Sequence, residues 1–529
     1  MTERPAPALD WVSPLPPVRS GIADYSRDLF PWVEPHCDLR VVRLPGEDPS
    51  RELDRRWSPV PLSALEPDRR IPLYHMGNNQ HHLEVYRAAR EIPGILLLHD
   101  YVLHHFHLGR TVGEGDFDAY LERMTADHGW IGRDVARPVR WGGFHEASMF
   151  ALPVHRQLLR RQRAILVHSR WALERLREED PDLAVKRVPM GIPLPEITNR
   201  EDAVAELRNR TGIPREAPLL GSFGFQTKIK RTASAIAALA RPELRGVHLL
   251  IVGEENPYVE LDEAIEGAGV EGRVHRLGYV AFEELQTAMA AVEVCLNLRY
   301  PTAGETSASL LRVLAQGRPA VVSDHGPTGD LPNEVAVKVP LGEDEIPRLA
   351  KTLGSLLDDP DRLRSLGRAA REYVASRHDP AAAGKALVEA CVRGADAEPP
   401  GKKAPEVPPP TSFLHRDLPG AIEVPDLGGW RPGERRSVRI GLQNAGPVRW
   451  LAAERGPGGI QIQVRILSHG RDLRRDRPWI GLPRDLDPGT RCHLEIPLRR
   501  PPGPCRLGIR LIRMGDRSGP ALSWHRDLP

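Results

Sequence analysis

The chain has 529 residues, too many for one hydrophobic core, and about 150 residues per domain predicts roughly three domains. Hydrophobic residues make up 40% and charged residues 27%, an ordinary globular balance, while 52 prolines and 47 glycines indicate many loops and a linker. No run approaches the roughly 18 apolar residues of a membrane span, and no signal-like apolar segment follows the first residues. We therefore expect a cytoplasmic protein with at most peripheral membrane contact.

The formal net charge of +2 hides an asymmetry along the chain. From Thr411 onwards there are 21 arginines, no lysine and 12 acidic residues, a charge of +9, so the preceding residues carry −7. The C-terminal part is therefore predicted to be a separate basic module. We expect no nucleic-acid partner, because the aromatic and glycine-rich signatures of RNA binding are absent.

The cysteines do not form a recognisable pattern. They are odd in number and widely spaced, which indicates neither a disulfide framework nor a zinc site. The five are Cys37, Cys295, Cys391, Cys492 and Cys505.

The N-terminal segment reads as a strand, a loop rich in proline and a helix. Leu9–Val12 is a short apolar strand, and the loop that follows contains Gly21 at the start of a helix through Leu29. Such a βα turn faces a phosphate or substrate in many α/β proteins, and a purely structural first loop is an equal alternative.

The next segments alternate buried strands with a helix, which predicts a parallel sheet covered on both faces. The segments are strands Leu39–Leu44, Ile71–Met76 and Gly94–Leu98 and helix His81–Arg90. Ligands of such sheets bind at the carboxyl ends of the strands, where His75 and His99 lie.

Seven histidines fall between His75 and His107, so a metal site has to be weighed. No cysteine and no HExxH-type spacing supports one, and polar cleft and helix-surface groups are the preferred interpretation. Gly113–Gln162 is then mostly helical, Ala164–Val167 is a further strand, and Val188–Pro193 is predicted to cross to a second domain.

The second domain opens with strand Leu219–Phe225, followed by Lys228, Lys230 and Arg231 at a helix start. Three positive charges at a helix N-terminus are repelled by the positive end of the helix dipole, and a bound anion would compensate this repulsion. The alternative is a solvated helix start. Strand His248–Val252 comes next.

The segment Cys295–Asp324 reads as an unbroken βαβ unit. Its turn Thr302–Ser307 supplies N–H groups and hydroxyls at a helix N-terminus, and Gly304 lets the backbone approach a phosphate. Glu305 beside a phosphate is unfavourable unless it accepts hydrogen bonds from neutral hydroxyls such as those of a sugar. The turn therefore predicts a nucleotide-sugar site.

The last part of the chain changes its hydrophobic period. Ala397–Thr411 is a proline-rich linker, after which apolar and polar residues alternate, predicting an antiparallel β-sandwich. The predicted strands are Arg436–Leu442, Gly459–Leu467, Cys492–Leu498 and Cys505–Ile512. Four tryptophans lie in this part, where core packing is favoured over sugar stacking.

The turn with Glu305, followed by Ala315–Pro319 and a strand ending in Ser323-Asp324, resembles the donor-site motif of glycosyltransferase family 4, whose members are retaining enzymes. The family usually has two glutamates eight positions apart, and here Gly304 and Arg312 occupy those positions. The resemblance implies an α/β GT-B fold with two Rossmann-like domains facing a cleft, followed by a small all-β sandwich. The implied domains are residues 1–187 for the acceptor, 188–396 for the donor, 397–411 as linker and 412–529 as an accessory module. The segment Leu442–Trp450 is similar to immunoglobulin-like modules.

The resemblance also implies site residues. His99 matches the strand-end histidine that approaches the transferred sugar, and Lys230 falls on the family's diphosphate-binding lysine, while Phe225 stands in place of its arginine. The candidate catalytic residues are His99, Lys230 and Glu305. The candidate donor-binding residues are Gly21, Lys230, Arg231, Tyr279, Gly304, Glu305, Thr306, Ser307 and Arg312.

The expected function is transfer of a hexose, with retention of configuration, from a nucleoside diphosphate sugar to a carbohydrate or other hydroxyl acceptor. No metal or other cofactor is expected besides the nucleotide sugar. The alternatives are a GT-B nucleotide-sugar epimerase or phosphorylase, and a catalytically silent carbohydrate-binding or scaffold protein.

Overall fold

A computed structural model describes most of the chain, in two compact units. The described residues are 6–48, 51–144, 146–195, 201–401, 411–412, 418–453, 459–468, 471–472, 479–514 and 522–529. One unit comprises Met1–Asp116 and Val154–Lys403, and the other comprises Phe117–Pro153 and Ala404–Pro529. Residues 402–410 of the predicted linker lie outside the described residues.

The first unit contains two parallel sheets, the first with seven strands. These are β1 Ala8–Val12, β2 Asp38–Arg43, β3 Val60–Pro61, β4 Ile71–Met76, β5 Ile95–Leu98, β6 Ala164–Val167 and β7 Val185–Arg187. Their order is β3-β2-β1-β4-β5-β6-β7, with every pair parallel. The central strands are buried along their whole length because helices cover both faces of the sheet.

The second sheet has six strands. These are β8 Leu219–Phe223, β9 His248–Val252, β10 Val274–Gly278, β11 Val294–Asn297, β12 Ala320–Ser323 and β13 Ala336–Val339. Their order is β10-β9-β8-β11-β12-β13, again all parallel. Both sheets therefore show the Rossmann strand order, in which successive strands are added first on one side of the first strand and then on the other. This reversal of the strand order leaves a crevice at the carboxyl ends of the two neighbouring strands.

The helices follow the strands closely. In chain order they are α1 Gly21–Val33, α2 Arg51–Trp57, α3 Leu83–Glu91, α4 His104–Gly109, α5 Phe117–Ala136, α6 Ser148–Ala151, α7 Arg156–Leu159, α8 Arg170–Glu179, α9 Glu201–Thr211, α10 Thr232–Leu239, α11 Leu261–Ala268, α12 Phe282–Ala291, α13 Ala308–Ala315, α14 Glu345–Leu357, α15 Pro360–Arg377 and α16 Pro380–Ala395.

The last helix returns to the first sheet. A side chain at Gly394 of α16 would lie 2.8 Å from Ala164 Cβ and from the Ile95 side chain, so the helix packs directly on β5 and β6. The segment that connects the two sheets is hydrogen-bonded to the residue that follows α15, because Ile192 N donates to the His378 carbonyl over 2.9 Å. One apolar cluster with members from both Rossmann domains results. This architecture is the GT-B fold with two α/β domains, as the sequence predicted.

The other unit contains a helical segment and antiparallel strands. In the helical segment, α5 is interrupted at Gly129, whose φ is +59°. The strands are β14 Gly420–Glu423, β15 Arg435–Asn444, β16 Ile460–Ser468, β17 Arg471–Asp472, β18 Trp479–Gly481, β19 Arg491–Arg499, β20 Cys505–Arg513 and β21 Leu522–Leu528. They form an all-β pair of sheets, one with β14, β15 and β19 and one built around β16, β20 and β21.

The β sheets share one core, and two of the tryptophans lie inside it. Trp430 and Trp450 are buried, and both belong to the apolar cluster formed by the strands. Their rings are therefore packed in the core and are not exposed for stacking on a sugar. Trp524 is half-buried against the same cluster. The likeness to immunoglobulin modules stays an expectation. Across the described residues, no helix combines the length and apolar character that a membrane crossing needs.

Candidate functional site

The candidate site lies at the point where the strand order of the second sheet reverses, between β8 and β11. The loops after these two strands leave the same edge of the sheet, and each carries a cationic side chain, Lys230 after β8 and Arg299 after β11. Crevices at this position are where parallel α/β sheets bind their ligands.

Lys230 is folded back over the end of its own strand. Its ammonium donates a hydrogen bond to the Phe223 carbonyl. The residue between them in the turn, Gly224, has φ +90°, and a Cβ there would lie 3.0 Å from Lys230 Nζ. Burial, reinforced by the positive charge of Arg299, lowers the pKa of Lys230 to about 7. The lysine is thus a poorly solvated cation that an anion would stabilise.

The neighbouring cations have other positions. Lys228 is exposed. Arg231 adopts a left-handed backbone with φ +54°, and its Nε donates to the buried Glu345 carboxylate over 2.8 Å. Burial lowers the pKa of this guanidinium. The predicted role of Arg231 at the diphosphate stays a prediction, and its observed partner is an acid at the start of α14.

Arg299 is held by three side chains at the end of β11. It donates to one oxygen of Glu305 and, over 3.3 Å, to Ser307 Oγ, while its Nε lies 3.4 Å from Asn297 Oδ1. Its backbone N–H also donates to Ser323 Oγ over 3.0 Å. The guanidinium is therefore fixed in place beside the cleft.

The predicted donor turn is organised by its own hydroxyls. Thr302 Oγ1 donates to the second oxygen of Glu305 over 3.1 Å and accepts from Gly304 N over 3.0 Å. Ser307 caps α13 by accepting from Leu310 N over 3.2 Å. Thr306 is half-buried between them. Glu305, predicted to hold sugar hydroxyls, therefore already accepts hydrogen bonds at both oxygens.

The same turn contacts the first Rossmann domain. Val102 N donates to the Ala303 carbonyl over 2.9 Å. Gly304 has φ +78°, and a Cβ there would lie 2.5 Å from Tyr101 Cβ and 2.6 Å from the Trp171 ring. The absence of a side chain at Gly304 is thus required by the close approach of the first domain.

His99 follows β5, on the other side of the cleft. Its Nε2 lies 3.0 Å from His75 Nδ1, and the Tyr25 ring is 5.2 Å from its own ring. Burial, followed by the neighbouring His168 and His75, holds the pKa of His99 well below its usual value, so the ring is neutral at neutral pH. His99 is only 8% exposed and lies among the rings of Tyr25, His75 and His168.

Asp100, next in the chain, lies closer to the donor turn. Its Oδ2 accepts from Asn78 N over 2.7 Å. Burial raises the pKa of Asp100 to about 7, and the Glu305 carboxylate adds to the rise. Carboxyl groups from the two Rossmann domains therefore interact electrostatically here, and Asp100 is partly protonated near neutral pH.

Three further predicted residues lie outside this cluster. Gly21 begins α1 and is exposed, and a Cβ at this position would meet no atom within 4 Å, so steric room does not explain its identity. Tyr279 is 59% exposed after β10, with the Arg19 guanidinium 4.5 Å above its ring. Arg312 donates to Asp28 of α1 over 2.7 Å and so bridges the two Rossmann domains.

The structure thus brings together Lys230, Gly304, Glu305 and Ser307, and it is Asp100, the residue after His99, that interacts with Glu305 from the first Rossmann domain. Sequence reasoning missed Arg299, whose position two residues beyond a buried strand was a usable signal. It also missed Asn78, whose backbone holds Asp100. In the parts of the chain that the structure describes, no group of three or more histidine, cysteine, aspartate or glutamate side chains is arranged to hold a metal ion.

Comparison with protein families identifies the second Rossmann domain. Residues 218–359 match the family model described as Glycosyl transferases group 1. This segment contains β8 to β13 and the whole candidate donor cluster. The fold is GT-B, and its second Rossmann domain is similar to the group 1 glycosyltransferases.

Two curated relatives carry more specific names. The chain is 28% identical over 178 residues to a 2-deoxystreptamine glucosyltransferase of Streptomyces kanamyceticus, covering 32% of this chain and 45% of that protein. It is 28% identical over 246 residues to a GDP-mannose-dependent alpha-(1-6)-phosphatidylinositol monomannoside mannosyltransferase of Mycobacterium tuberculosis, covering 44% of this chain and 63% of that protein. The matches thus span less than two thirds of the length of either relative.

Solved structures share the fold of the Rossmann pair. Anabaena HepE in complex with UDP-glucose superposes with a TM-score of 0.51 at 14% identity, covering 73% of this chain and 99% of that chain. A glycosyltransferase from Rickettsia africae ESF-5 gives a TM-score of 0.51 at 12% identity, covering 74% of this chain and 99% of that one. At these identities the likeness concerns the fold.

Proposed function

We propose that this protein is a retaining glycosyltransferase that moves a hexose from a nucleoside diphosphate sugar to the hydroxyl of a carbohydrate or similar acceptor. The observation that carries the proposal is the position of Lys230. Its ammonium lies at the carboxyl end of β8, beside Gly224 and the switch point of a domain that matches a glycosyltransferase family.

Lys230 has the properties that a departing diphosphate requires. When the bond between the anomeric carbon and the β-phosphate oxygen breaks, the diphosphate leaves with the electron pair and a new negative charge. A lysine whose pKa is about 7 in the empty site gains a proton when an anion binds, because the anion favours the charged form. The N-terminus of α13, capped by Ser307, adds a positive dipole end near the same place.

The first domain supplies the acceptor side in this proposal. His99 and Asp100 follow β5 at the cleft, with His99 neutral and able to donate or accept a hydrogen bond from a sugar hydroxyl. Asp100, with a pKa of about 7, can also donate when protonated. We also propose that the protein is cytoplasmic, takes part in carbohydrate biosynthesis and has no nucleic-acid partner.

The names of similar proteins suggest which donors to test. One relative is named as a user of GDP-mannose and one solved neighbour was crystallised with UDP-glucose. We therefore include both uridine and guanosine donors rather than choosing a base from Tyr279, whose backbone contacts would not distinguish them.

The test is a thermal-shift panel of UDP, GDP, ADP and dTDP with their glucose and mannose derivatives, followed by transfer assays with carbohydrate acceptors. Binding of one diphosphate, transfer of its hexose and retention of the anomeric configuration in the product by NMR are expected. Consumption of the donor without an acceptor would identify an epimerase, consumption that depends on inorganic phosphate would identify a phosphorylase, and binding without any turnover would favour the silent protein.

A further inference from the structure

Arg299 is a cation placed at the cleft with part of its hydrogen-bonding capacity unused. Its side chain is 13% exposed and contacts Glu305, Ser307 and Asn297 through three of its N–H groups. A guanidinium has five such groups, so each terminal nitrogen retains a second one. The planar fork matches phosphate oxygens, which accept two parallel hydrogen bonds.

A continuous line of short distances joins Arg299 to Lys230. Arg299 lies 3.3 Å from Ser307 Oγ, which lies 3.2 Å from Ser309 Oγ. Ser309 Oγ in turn is 3.8 Å from the position of a Cβ at Gly224, and Lys230 Nζ is 3.0 Å from that same position. Lys230 and Ser309 thus border the space above Gly224, which a side chain at this residue would fill, and Ser307 connects Ser309 to Arg299.

When Lys230 is protonated, the positive charges beside this space exceed the negative ones. Arg299 and Lys230 disfavour each other, and Glu305 is the single carboxylate that contacts either of them among the described residues. Asp100, the next carboxyl group, has a pKa raised to about 7 and is partly neutral. An anion with two or more charges would compensate both cations, whereas a purely structural ion pair would need no such ligand.

We propose that Arg299 is a second diphosphate-binding cation beside Lys230, and that Glu305 is a positioning residue that orients the Arg299 guanidinium toward the space above Gly224. This inference rests on the proposed function, because it specifies how the donor is held. It assigns the phosphates to two strands, β8 and β11, on either side of the switch point.

The test compares Arg299→Gln, Arg299→Lys and the wild type for binding of UDP and GDP by calorimetry, with the matching nucleosides as phosphate-free probes. Arg299→Gln is expected to weaken diphosphate binding about 10- to 100-fold, the effect of a lost charge-assisted hydrogen bond, without changing nucleoside affinity. Arg299→Lys should recover part of the loss, because it restores the charge but not the fork.

Arg276→Gln is the matched control. Arg276 lies in the same domain, and its guanidinium is also ion-paired, 2.6 Å from Asp262, but at the exposed position of β10. Its loss should leave diphosphate affinity within about twofold of the wild type, since exposed ion pairs contribute little. A wild type that binds none of UDP, GDP, ADP and dTDP would refute the proposed function and this inference together. A wild type that binds, with Arg299→Gln binding equally well, would overturn the inference alone.

The positioning role of Glu305 is tested by a double-substitution cycle. If Glu305 acts through Arg299, Glu305→Gln changes diphosphate affinity in the wild-type background and has no effect in the Arg299→Gln background. Equal changes in both backgrounds would show that Glu305 acts on the ligand directly. An unchanged diphosphate affinity with impaired hexose transfer would assign Glu305 to the sugar and would overturn its positioning role.

Discussion

At the scale of single residues, the cations of the β8 loop show how neighbouring basic side chains come to lie in different environments. Lys228 is solvated, Arg231 is paired with Glu345, and Lys230 returns to the end of its own strand. The left-handed backbone at Arg231 separates the last two side chains by turning the chain between them. A cluster of charges in a sequence is therefore resolved by backbone geometry into one solvated, one structural and one cleft-facing group.

The lowered pKa of Lys230 leads to a prediction on pH. Above pH 7 the empty site loses the ammonium proton, and binding of an anion must take it up again, so diphosphate affinity should fall by up to about tenfold per pH unit between pH 7 and 9. Lys230→Arg, which stays charged, should show a flatter profile. The measurement is the dissociation constant of UDP or GDP across this range.

Lys228→Arg serves as the control for the pH profile, because Lys228 is exposed and lies two positions away. It should keep the slope of the wild type. A wild-type affinity that does not change between pH 7 and 9 would contradict the assignment of Lys230 to the anion.

Sequence reasoning located these residues but not all their partners. Lys230, Glu305 and Ser307 could be predicted because each lies in the loop between a buried strand and the helix that follows it. The ion pairs of Arg231 with Glu345 and of Arg312 with Asp28 join residues 114 and 284 positions apart. No local pattern contains such pairs, since they depend on how whole domains pack.

At the scale of elements, the strands buried on both faces were the easiest to predict. Ile71–Met76, Ala164–Val167 and His248–Val252 begin and end where their apolar runs do. By contrast, α9 and β14 carry weaker patterns and were not predicted. Burial on two faces gives a continuous apolar run, whereas a surface helix or an edge strand leaves a mixed one.

The turn Thr302–Ser307 provides a prediction at this scale. Gly304→Ala would place a methyl group against Tyr101 and Trp171 at a left-handed backbone position, which should destabilise the Rossmann pair by about 2–5 kcal/mol. The urea midpoint of the first unit measures the change.

Gly21→Ala is the matched control, because a Cβ at Gly21 meets nothing within 4 Å and its φ is ordinary. It should leave the free energy of unfolding unchanged or raise it by up to about 1 kcal/mol. Equal stability of Gly304→Ala and the wild type would show that the first domain does not need this close approach.

At the scale of the whole molecule, the apolar cores of the two parts are separate. The three clusters of the Rossmann pair contain no described residue after Cys391, and the cluster of the β sheets begins at Leu418. Each part therefore has the interior that independent folding requires.

A chain ended at Lys403 is accordingly expected to keep the fold and the diphosphate affinity of the Rossmann pair. Differential scanning calorimetry should show that one transition disappears while the other stays at its temperature. Phe117–Pro153, which belongs to the same compact unit as the C-terminal part, is the segment expected to become more sensitive to protease. Loss of diphosphate binding in the shortened chain would show that the C-terminal part completes the donor domain.

The turn Thr302–Ser307 has one more consequence, for attempts to alter the protein by exchanging segments. Ala303 and Gly304 fit Tyr101 and Trp171 of the first domain, while Glu305 and Ser307 hold Arg299. A turn grafted from a protein with another donor preference would therefore also carry a surface shaped for a different first domain. We therefore expect recombination at this point to succeed only when residues 101 and 171 are transplanted with the turn.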